Sequence, residues 1–364
     1  MRIYDIISFL ENKFPITSQA SFDNCGVQVG DIQEKVQGVL ICLDCTEEVV
    51  EEAIETGTNL IIAHHPVIFK AIKSLTGKNY VERILLKAIE NKIVIYGIHT
   101  NLDHHLAGVN AEIAKRLNVV NTKVLIPSQH ALFKISVFIP LAYKEKVLSN
   151  MFLYGAGLMG DYSECSFAVN GKGTFLPGEN ATPFQGIIGV RENVEEAKVE
   201  VLVSKHNLNK VIHVMLDSHP YEDVAYDVIQ LQNDNFYEGT GMIGELEHPM
   251  DELTFLAKIK QAFHCSVIRH TNLVGKKIKN VAFCGGAGSF LLKNAIGQKA
   301  DIFITGDFKY HEFFDAENEI IIADIGHYES EQFTSELIYR ILTEKFVNFA
   351  FNVTKVNTNP INYF

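Results

Sequence analysis

The chain lacks several features that would place it in a specialised class of protein. Its 364 residues include only six cysteines, too few for a disulfide framework in a chain of this length. No apolar run approaches the roughly 20 residues that a membrane-spanning helix needs. The first residues are too polar for a secretion signal, because Asp5, Glu11 and Lys13 interrupt them. We therefore expect a cytoplasmic protein with reduced thiols.

Basic residues are also scarce relative to acidic ones. The chain has 32 Lys and Arg against 44 Asp and Glu, a formal net charge of −12. Proteins that hold nucleic acid by releasing counterions need a basic surface, so nucleic acid is not an expected partner. A ring-shaped oligomer could still hide a local basic lining. Apolar residues make up 47% and charged residues 21%, which is typical of folded globular domains.

The first and last thirds of the chain alternate short apolar strands with amphipathic helices. Continuous apolar strands of this kind are typical of a parallel sheet buried on both faces. We predict an α/β core made of two similar halves, residues 1–127 and 237–364. The predicted strands are 39–43, 59–63, 93–98, 281–284, 301–305 and 320–324; the predicted helices are 47–56, 80–91, 107–117, one from 289, and a long one after 324 to about 345.

The middle of the chain follows another pattern. We predict strands at 133–139, 163–169, 185–190 and 211–216, with helices at 143–153 and 194–206. Strand–helix–strand–strand–helix–strand is the order of the ferredoxin-like fold. Pro127-Ser128 and the Asn-Asp-Asn stretch at 233–235 have the composition of boundaries. The sequence therefore predicts an α+β ferredoxin-like domain, residues 128–236, inserted between the two core halves.

Metal-competent side chains follow three of the predicted core strands. These clusters are His64-His65-Pro66, the segment 99–105 with Asp103 among its histidines, and the segment from His327 to Glu331. Ligands of open α/β sheets bind outside the carboxyl ends of the strands. A single histidine there is more often a structural hydrogen-bonding group, but three clusters at such ends together favour metal binding.

The spacing of these residues is compatible with two adjacent ions. His64 and His65 could diverge where Pro66 turns the chain, and His327 and Glu331, four residues apart at a helix start, share one face. Imidazole with carboxylate suits zinc, iron, manganese or nickel better than calcium or magnesium. A carboxylate shared between two ions about 3.5–4 Å apart is the usual bridge of a two-metal hydrolytic site.

Five motifs, in order along nearly the whole chain, resemble the Nif-three-like family, whose members are often called GTP cyclohydrolase 1 type 2 homologues. The motifs are residues 22–30 (FDNCGVQVG), 63–66 (AHHP), 99–103 (HTNLD), 305–311 (TGDFKYH) and 326–331 (GHYESE). The resemblance implies a dinuclear site for two divalent metal ions. It implies that one ion is held by His65 and Asp103, the other by His64 and His327, and that Glu331 contacts both.

The resemblance also covers the middle segment, which ends in Ser218-His219-Pro220-Tyr221-Glu222. This segment resembles the insert of the longer bacterial members, which is similar to trimeric signal-protein and copper-tolerance-protein folds. Such inserts accompany ring-shaped hexamers, so we expect a homohexamer, a dimer of trimers, that binds a small-molecule ligand. Shorter members lack the insert, so the metal chemistry should not require it.

Two functions remain open at this stage. The first is a metal-dependent hydrolase acting on a small nucleotide-like or phosphorylated substrate; the second is a regulatory or ligand- or metal-binding oligomer without catalysis. His99 and His311 are the candidate catalytic residues, since either could orient a ligand or shuttle a proton. The alternative for both is a structural histidine that lines the cleft. Asn24 and Gln28 are expected to border the same cleft.

Two further motifs have a structural interpretation that we prefer. Gly285-Gly286-Ala287-Gly288 could cradle a phosphate at a helix N-terminus, but it lacks the Lys-Ser/Thr ending of a phosphate loop. A tight strand-to-helix turn is the favoured interpretation. Cys42 and Cys45 have the spacing of a metal or redox pair, yet they end an apolar strand, which favours buried and inert thiols.

Overall fold

The computed structural model describes residues 1–364, which divide into two compact units. Unit 1 comprises Met1–Pro127 and Glu238–Phe364, and unit 2 comprises Ser128–Tyr237. None of the helices is both long enough and apolar enough to cross a lipid bilayer.

The helices and strands have the following bounds. The N-terminal segment contains α1 (Ile3–Lys13), β1 (Gly26–Val29), β2 (Val39–Cys42), α2 (Glu47–Glu55), β3 (Leu60–Ala63), α3 (Tyr80–Glu90), β4 (Val94–Gly97), α4 (Thr100–Asp103), α5 (Val109–Leu117) and β5 (Val119–Ser128). The middle contains β6 (Leu132–Pro140), α6 (Lys144–Leu153), β7 (Ser166–Phe175), β8 (Glu192–Ser204), α7 (Leu208–Ser218) and β9 (Tyr226–Gln230). The remainder contains β10 (Asn235–Met250), α8 (Glu252–Ala262), β11 (Arg269–His270), β12 (Ile278–Ala287), α9 (Leu292–Gly297), β13 (Ile302–Gly306), β14 (Ile321–Asp324), α10 (His327–Glu331), α11 (Thr334–Lys345) and β15 (Phe351–Val353).

The first sheet of unit 1 has the strand order β1-β4-β3-β2-β15. Strands β2, β3, β4 and β15 are parallel, and the edge strand β1 is antiparallel. Every residue of β2, β3 and β4 is buried, as expected for strands covered on both faces. The register aligns Cys42 with Ala63 and Ala63 with Gly97. The chain therefore leaves all three strands at the same edge.

The second sheet has the order β11-β14-β13-β12-β10-β5, with β12, β13 and β14 parallel. Thr305 lies opposite Asp324, and Gly306 lies opposite Ala287, so these strands also end together. The mixed α/β fold predicted from the sequence is confirmed.

The two core segments are interleaved within unit 1. Strand β15, from the C-terminal segment, pairs with β2, whereas β5, from the N-terminal segment, joins the second sheet. One apolar core contains Ile41 and Ile62 from the first sheet and Phe283 and Ile302 from the second. Neighbouring strand residues face opposite ways, so Ile61 packs instead in a separate cluster with residues of α2 and α3.

Unit 2 contains a four-stranded antiparallel sheet of order β7-β8-β6-β9 with α6 and α7 packed on it. The order of element types is the predicted one, but three positions were wrong. The segment 185–190 is not a strand, 192–204 is a strand where we predicted a helix, and 208–218 is a helix where we predicted a strand.

In unit 1 the positions of the predicted elements are close to those observed, with two differences. The single long helix predicted after 324 is two helices, α10 and α11. The glycine-rich segment belongs mostly to β12, which extends to Ala287.

Candidate metal centre

The five predicted ligands converge in unit 1, beyond the carboxyl ends of the parallel strands. His64 and His65 follow β3, Asp103 ends α4, and α10 begins at His327 and ends at Glu331. The Nε2 atoms of His65 and His327 lie 3.0 and 3.1 Å from Glu331 Oε2 and 3.3 Å from each other. These three side chains form a compact donor group.

A second donor group shares Glu331. His64 Nε2 lies 3.6 Å from Asp103 Oδ1 and 3.9 Å from Glu331 Oε1. Glu331 thus turns one carboxylate oxygen toward each group. This grouping differs from the division implied by the resemblance, which paired His65 with Asp103 and His64 with His327.

Two of these donor atoms are buried without a hydrogen-bond partner. They are His64 Nε2 and Asp103 Oδ1, which face each other at 3.6 Å. An unsatisfied buried polar atom costs about 1–3 kcal/mol, so native folds rarely leave two together. A divalent cation coordinated by both atoms would satisfy both, and the donor set therefore fits a metal ion.

In each of the three histidines, the ring nitrogen that faces away from the donor groups, Nδ1, has an oxygen partner. His65 Nδ1 lies 2.7 Å from Asp44 Oδ1, and His327 Nδ1 lies 2.7 Å from Asp307 Oδ2. His64 Nδ1 lies 2.8 Å from a backbone carbonyl oxygen. Metal-binding histidines commonly donate the remaining N–H in this way, which orients the free nitrogen toward the ion. Sequence analysis missed Asp44 and Asp307, although both follow strand ends as the ligands do.

The acid–base properties of the centre also point to a cation. Burial raises the pKa of Asp103 well above its usual value, and the nearby Glu331 carboxylate raises it further. Burial lowers the pKa of His64 to about 4. Burial by itself would also lower the pKa values of His65 and His327. The carboxylates bonded to these two rings have the larger effect and raise the pKa of His65 to about 9 and that of His327 to about 11. Metal binding would replace these protons as the positive charge beside the carboxylates.

His99 stands beside the centre with a buried acidic partner. Its ring lies 5.3 Å from the rings of both His64 and His65, and its Nδ1 lies 2.9 Å from Asp23 Oδ1. Asp23 also accepts hydrogen bonds from the backbone N–H and hydroxyl of Thr100. Burial would raise the pKa of Asp23, but the contacts with His99 and Thr100 hold it well below its usual range. Sequence analysis did not identify Asp23, although it lies in the motif at 22–30.

The other predicted cleft residues have different places. His311 is exposed on the 3₁₀ segment Tyr310–Ala316, packs against Tyr310 and Phe314, and does not line the cavity. The structure therefore gives it no contact with the centre.

Asn24 and Gln28 position a loop rather than line the cleft. Asn24 Nδ2 donates to the carbonyl of Ile68, and the N–H of Ile68 donates to Gln28 Oε1. The two side chains thus hold the loop that follows His65 and Pro66.

The glycine-rich segment is not available to a phosphate. The N–H groups of Gly285, Gly286 and Gly288 already donate to side-chain oxygens of Asn110, Ser330 and Thr305. A Cβ on Gly286, whose φ is +62°, would lie 2.5 Å from Glu331 Oε1. The glycines therefore leave room for the Glu331 carboxylate.

The cysteines do not contribute to the donor cluster. Cys42 and Cys45 are free and buried, and neither belongs to a group of metal-competent donors. Burial raises the pKa of the Cys42 thiol well above its usual value, which keeps it protonated and unreactive.

A cavity of about 910 Å³ opens onto the metal-competent side chains. His65, His99, Asp103, His327 and Glu331 all contribute to its wall. No lysine or arginine lines it, and much of the remaining wall is aromatic: Phe22, Phe69, Tyr80, Phe290 and Tyr328. Such a wall can pack against a flat ring of a ligand. A cation held by the donor cluster would offset a negative charge on that ligand.

Comparison with known proteins gives consistent matches over the whole chain. A profile of the family Duf34/NIF3 (NGG1p interacting factor 3) matches residues 1–360. The GTP cyclohydrolase 1 type 2 homolog of Halalkalibacterium halodurans is 36% identical over 363 residues, which cover 98% of each chain. The protein of the same name in Staphylococcus aureus is 35% identical over 372 residues, with both chains fully covered. The crystal structure of a Bacillus cereus protein related to NIF3 has a TM-score of 0.88 at 36% identity and covers 100% of this chain and 99% of that one.

Proposed function

Because the chain belongs to the Duf34/NIF3 family, we propose that it is a dinuclear divalent-metal protein, a hydrolase acting on a small nucleotide-like or phosphorylated substrate. One observation carries the metal part of this proposal. His64 Nε2 and Asp103 Oδ1 are buried, face each other, and have no hydrogen-bond partner. A cation is the simplest group that satisfies both atoms.

The two donor groups that share Glu331 support the following division of the ligands. His64 and Asp103 would hold one ion, His65 and His327 would hold the other, and Glu331 would contact both. The imidazole and carboxylate donors fit zinc, iron, manganese or nickel.

Two such ions, when bound, would supply Lewis-acid activation of a water molecule and of a substrate oxygen. The chain's own residues would do the rest. Asp44 and Asp307 keep two of the histidine rings aligned. His99, held by Asp23 beside the centre, is placed to accept or return a proton. The aromatic wall would hold a nucleobase or another flat ring.

The experiment starts with metal content. Elemental analysis of the purified protein should give two divalent ions per chain, and Glu331→Gln should reduce this number to one or none. Glu329→Gln is the matched control, because Glu329 lies on the same short helix α10 and belongs to neither donor group. Equal metal content in native protein and Glu331→Gln would contradict the proposed site.

Turnover is tested separately, with GTP and a panel of nucleotides and phosphoesters. A hydrolase should convert at least one compound, and Glu331→Gln should abolish that conversion while Glu329→Gln retains it. Metal-replete protein that converts none of them would favour the second candidate, a regulatory or metal-binding oligomer without catalysis.

We also propose that unit 2 corresponds to an inserted ferredoxin-like domain, residues 128–236, in a homohexamer. The element order β6-α6-β7-β8-α7-β9 and the sheet order β7-β8-β6-β9 support the fold. Light scattering should give six times the mass of one chain. A monomeric mass would contradict the hexamer without affecting the metal site.

A further inference from the structure

Unit 2 contains a cavity of its own, of about 420 Å³. Three aromatic side chains in its wall form a group: the ring centres of Phe175 and Phe184 lie 6.1 and 6.2 Å from that of Tyr221. Tyr143 packs edge-on against Phe184 from behind, at 5.4 Å. The wall therefore offers several ring faces within reach of one small ligand.

A buried carboxylate belongs to the same wall. Glu196 is only 8% exposed, and its Oε1 accepts a hydrogen bond of 2.9 Å from the Tyr221 hydroxyl. Its Oε2 lies beside Gly173, which also lines the cavity. A Cβ on Gly173 would lie 1.9 Å from that oxygen, so only glycine leaves room for the carboxylate on the neighbouring strand. A carboxylate as buried as this one is costly unless a positive charge pairs with it, and the Tyr221 hydroxyl is a neutral partner.

No positively charged side chain of the wall supplies that partner. The cavity is lined by no lysine or arginine, and Glu222 and Asp223 add further negative charge. His219 lies nearby, but its Nε2 lies 3.0 Å from the carbonyl of Phe138 and its Nδ1 accepts from the N–H of Tyr221. Burial lowers the pKa of His219, which keeps its ring neutral at pH 7.

We propose that this cavity is a binding site for a small organic cation, of the alkylammonium or quaternary ammonium class. The faces of Phe175, Phe184 and Tyr221 would surround the cationic head, and Glu196 would be its counterion. Aromatic faces attract such cations most strongly when water is excluded. The same carboxylates would repel a nucleotide phosphate, so the site differs in ligand class from the metal centre of unit 1.

The test is calorimetric titration of the full chain with choline and with its uncharged carbon analogue, dimethylbutanol. The two have nearly the same shape and differ in charge. We expect choline to bind at least about tenfold more tightly, because cation–π and ionic attraction act on choline alone. Equal affinity for the two, absence of choline binding, or saturable binding of Mg-ATP that competes with choline would each overturn the proposal.

Variants locate the site. Glu196→Gln keeps an acceptor for the Tyr221 hydroxyl but removes the charge, and it should weaken choline binding about tenfold or more. Glu195→Gln is the matched control, since Glu195 is an exposed neighbour on the same strand that pairs with Lys172. Phe184→Ala is a second variant. Phe184 is 47% exposed, so its removal should leave the domain folded. Equal losses in Glu195→Gln and Glu196→Gln, or no loss in both Glu196→Gln and Phe184→Ala, would contradict the site.

Discussion

Asp307 contacts a donor histidine of the candidate metal centre without belonging to either donor group. Its backbone has a φ of +59°, which a short polar side chain tolerates better than most, and its carboxylate meets His327 Nδ1 at 2.7 Å. We predict that Asp307→Asn weakens metal affinity about 10–100-fold, the usual effect of losing such a supporting carboxylate. Competition with a fluorescent zinc chelator measures the change.

Asp315→Asn is the control for this prediction. Asp315 is exposed on the neighbouring 3₁₀ segment, so the substitution makes the same change in net charge away from His327. If both variants weaken affinity equally, the effect is general electrostatics and the orienting role of Asp307 is refuted.

Gly286 is the residue where backbone and site constrain each other most directly. Its φ is +62°, and a Cβ would meet Glu331 Oε1 at 2.5 Å. We predict that Gly286→Ala lowers the free energy of unfolding by about 1–3 kcal/mol, because alanine is strained at this φ. It should also reduce metal content, because Glu331 must move.

Denaturant titration and elemental analysis test the two effects of this substitution separately. The control is Gly297→Ala at the end of α9, where a Cβ would meet nothing within 4 Å and φ is not positive. Unchanged stability and full metal content in Gly286→Ala would show that the glycine has no such role.

At the scale of elements, the convergence of the donor side chains could be predicted, because these residues follow apolar strands. The parallel strands β3 and β14 end at the same edge of their sheets as their neighbours, and His64 and His65 follow β3 while the residues of α10 follow β14. The pairing of individual donors could not be predicted, because it depends on rotamers and on how the two sheets meet. Asp44 and Asp23 were missed because a single acid after a strand or in a loop carries no periodic signal.

Two elements of unit 2 show where local composition misleads. In β8 the sequence Glu-Glu-Ala-Lys favours a helix, but Ala197, Val199, Val201 and Val203 are buried at every second position, which is the strand period. In α7 the β-branched residues favour a strand, but burial recurs at helical spacing from Val211 to Met215 and Ser218. The tertiary packing of the shared core decides both cases.

The segment after β15 is an element of the site without regular structure. Residues 358–361 line the cavity, and the Thr358 hydroxyl donates to Asp44, which holds His65. We predict that deletion of 357–364 speeds metal extraction by a chelator several-fold, because the cavity becomes more open. The extraction rate is measured as the rise in absorbance of the coloured complex that the chelator forms with the metal ion.

The overall stability should change little in that deletion. It leaves β15 in the first sheet and retains the hydrogen bond from Thr354 to Glu52. If the deletion variant keeps the thermal stability of the full chain and loses metal to the chelator at the same rate, the prediction is wrong.

On the scale of the whole molecule, the donor cluster brings together segments that are far apart in sequence. His65 and Glu331 are separated by 266 positions, and unit 2 lies between them in the chain. The interleaved strands β5 and β15 show that neither core segment completes its own sheet. Bound metal should therefore stabilise all of unit 1 as one cooperative body, since the ligands come from both segments.

This argument predicts selective effects of ligands on thermal unfolding. A ligand that binds only the folded state stabilises it by about 4 kcal/mol at a thousandfold excess over its dissociation constant. In calorimetry of the full chain, EDTA should lower the transition temperature of unit 1 and leave the transition temperature of unit 2 unchanged. Choline should raise only the transition temperature of unit 2. Glu331→Gln should make the first transition insensitive to EDTA, with Glu329→Gln still responsive. If the transition temperature of unit 1 is the same with EDTA and with added zinc, an ion bound at the donor cluster does not stabilise unit 1, and the prediction is wrong.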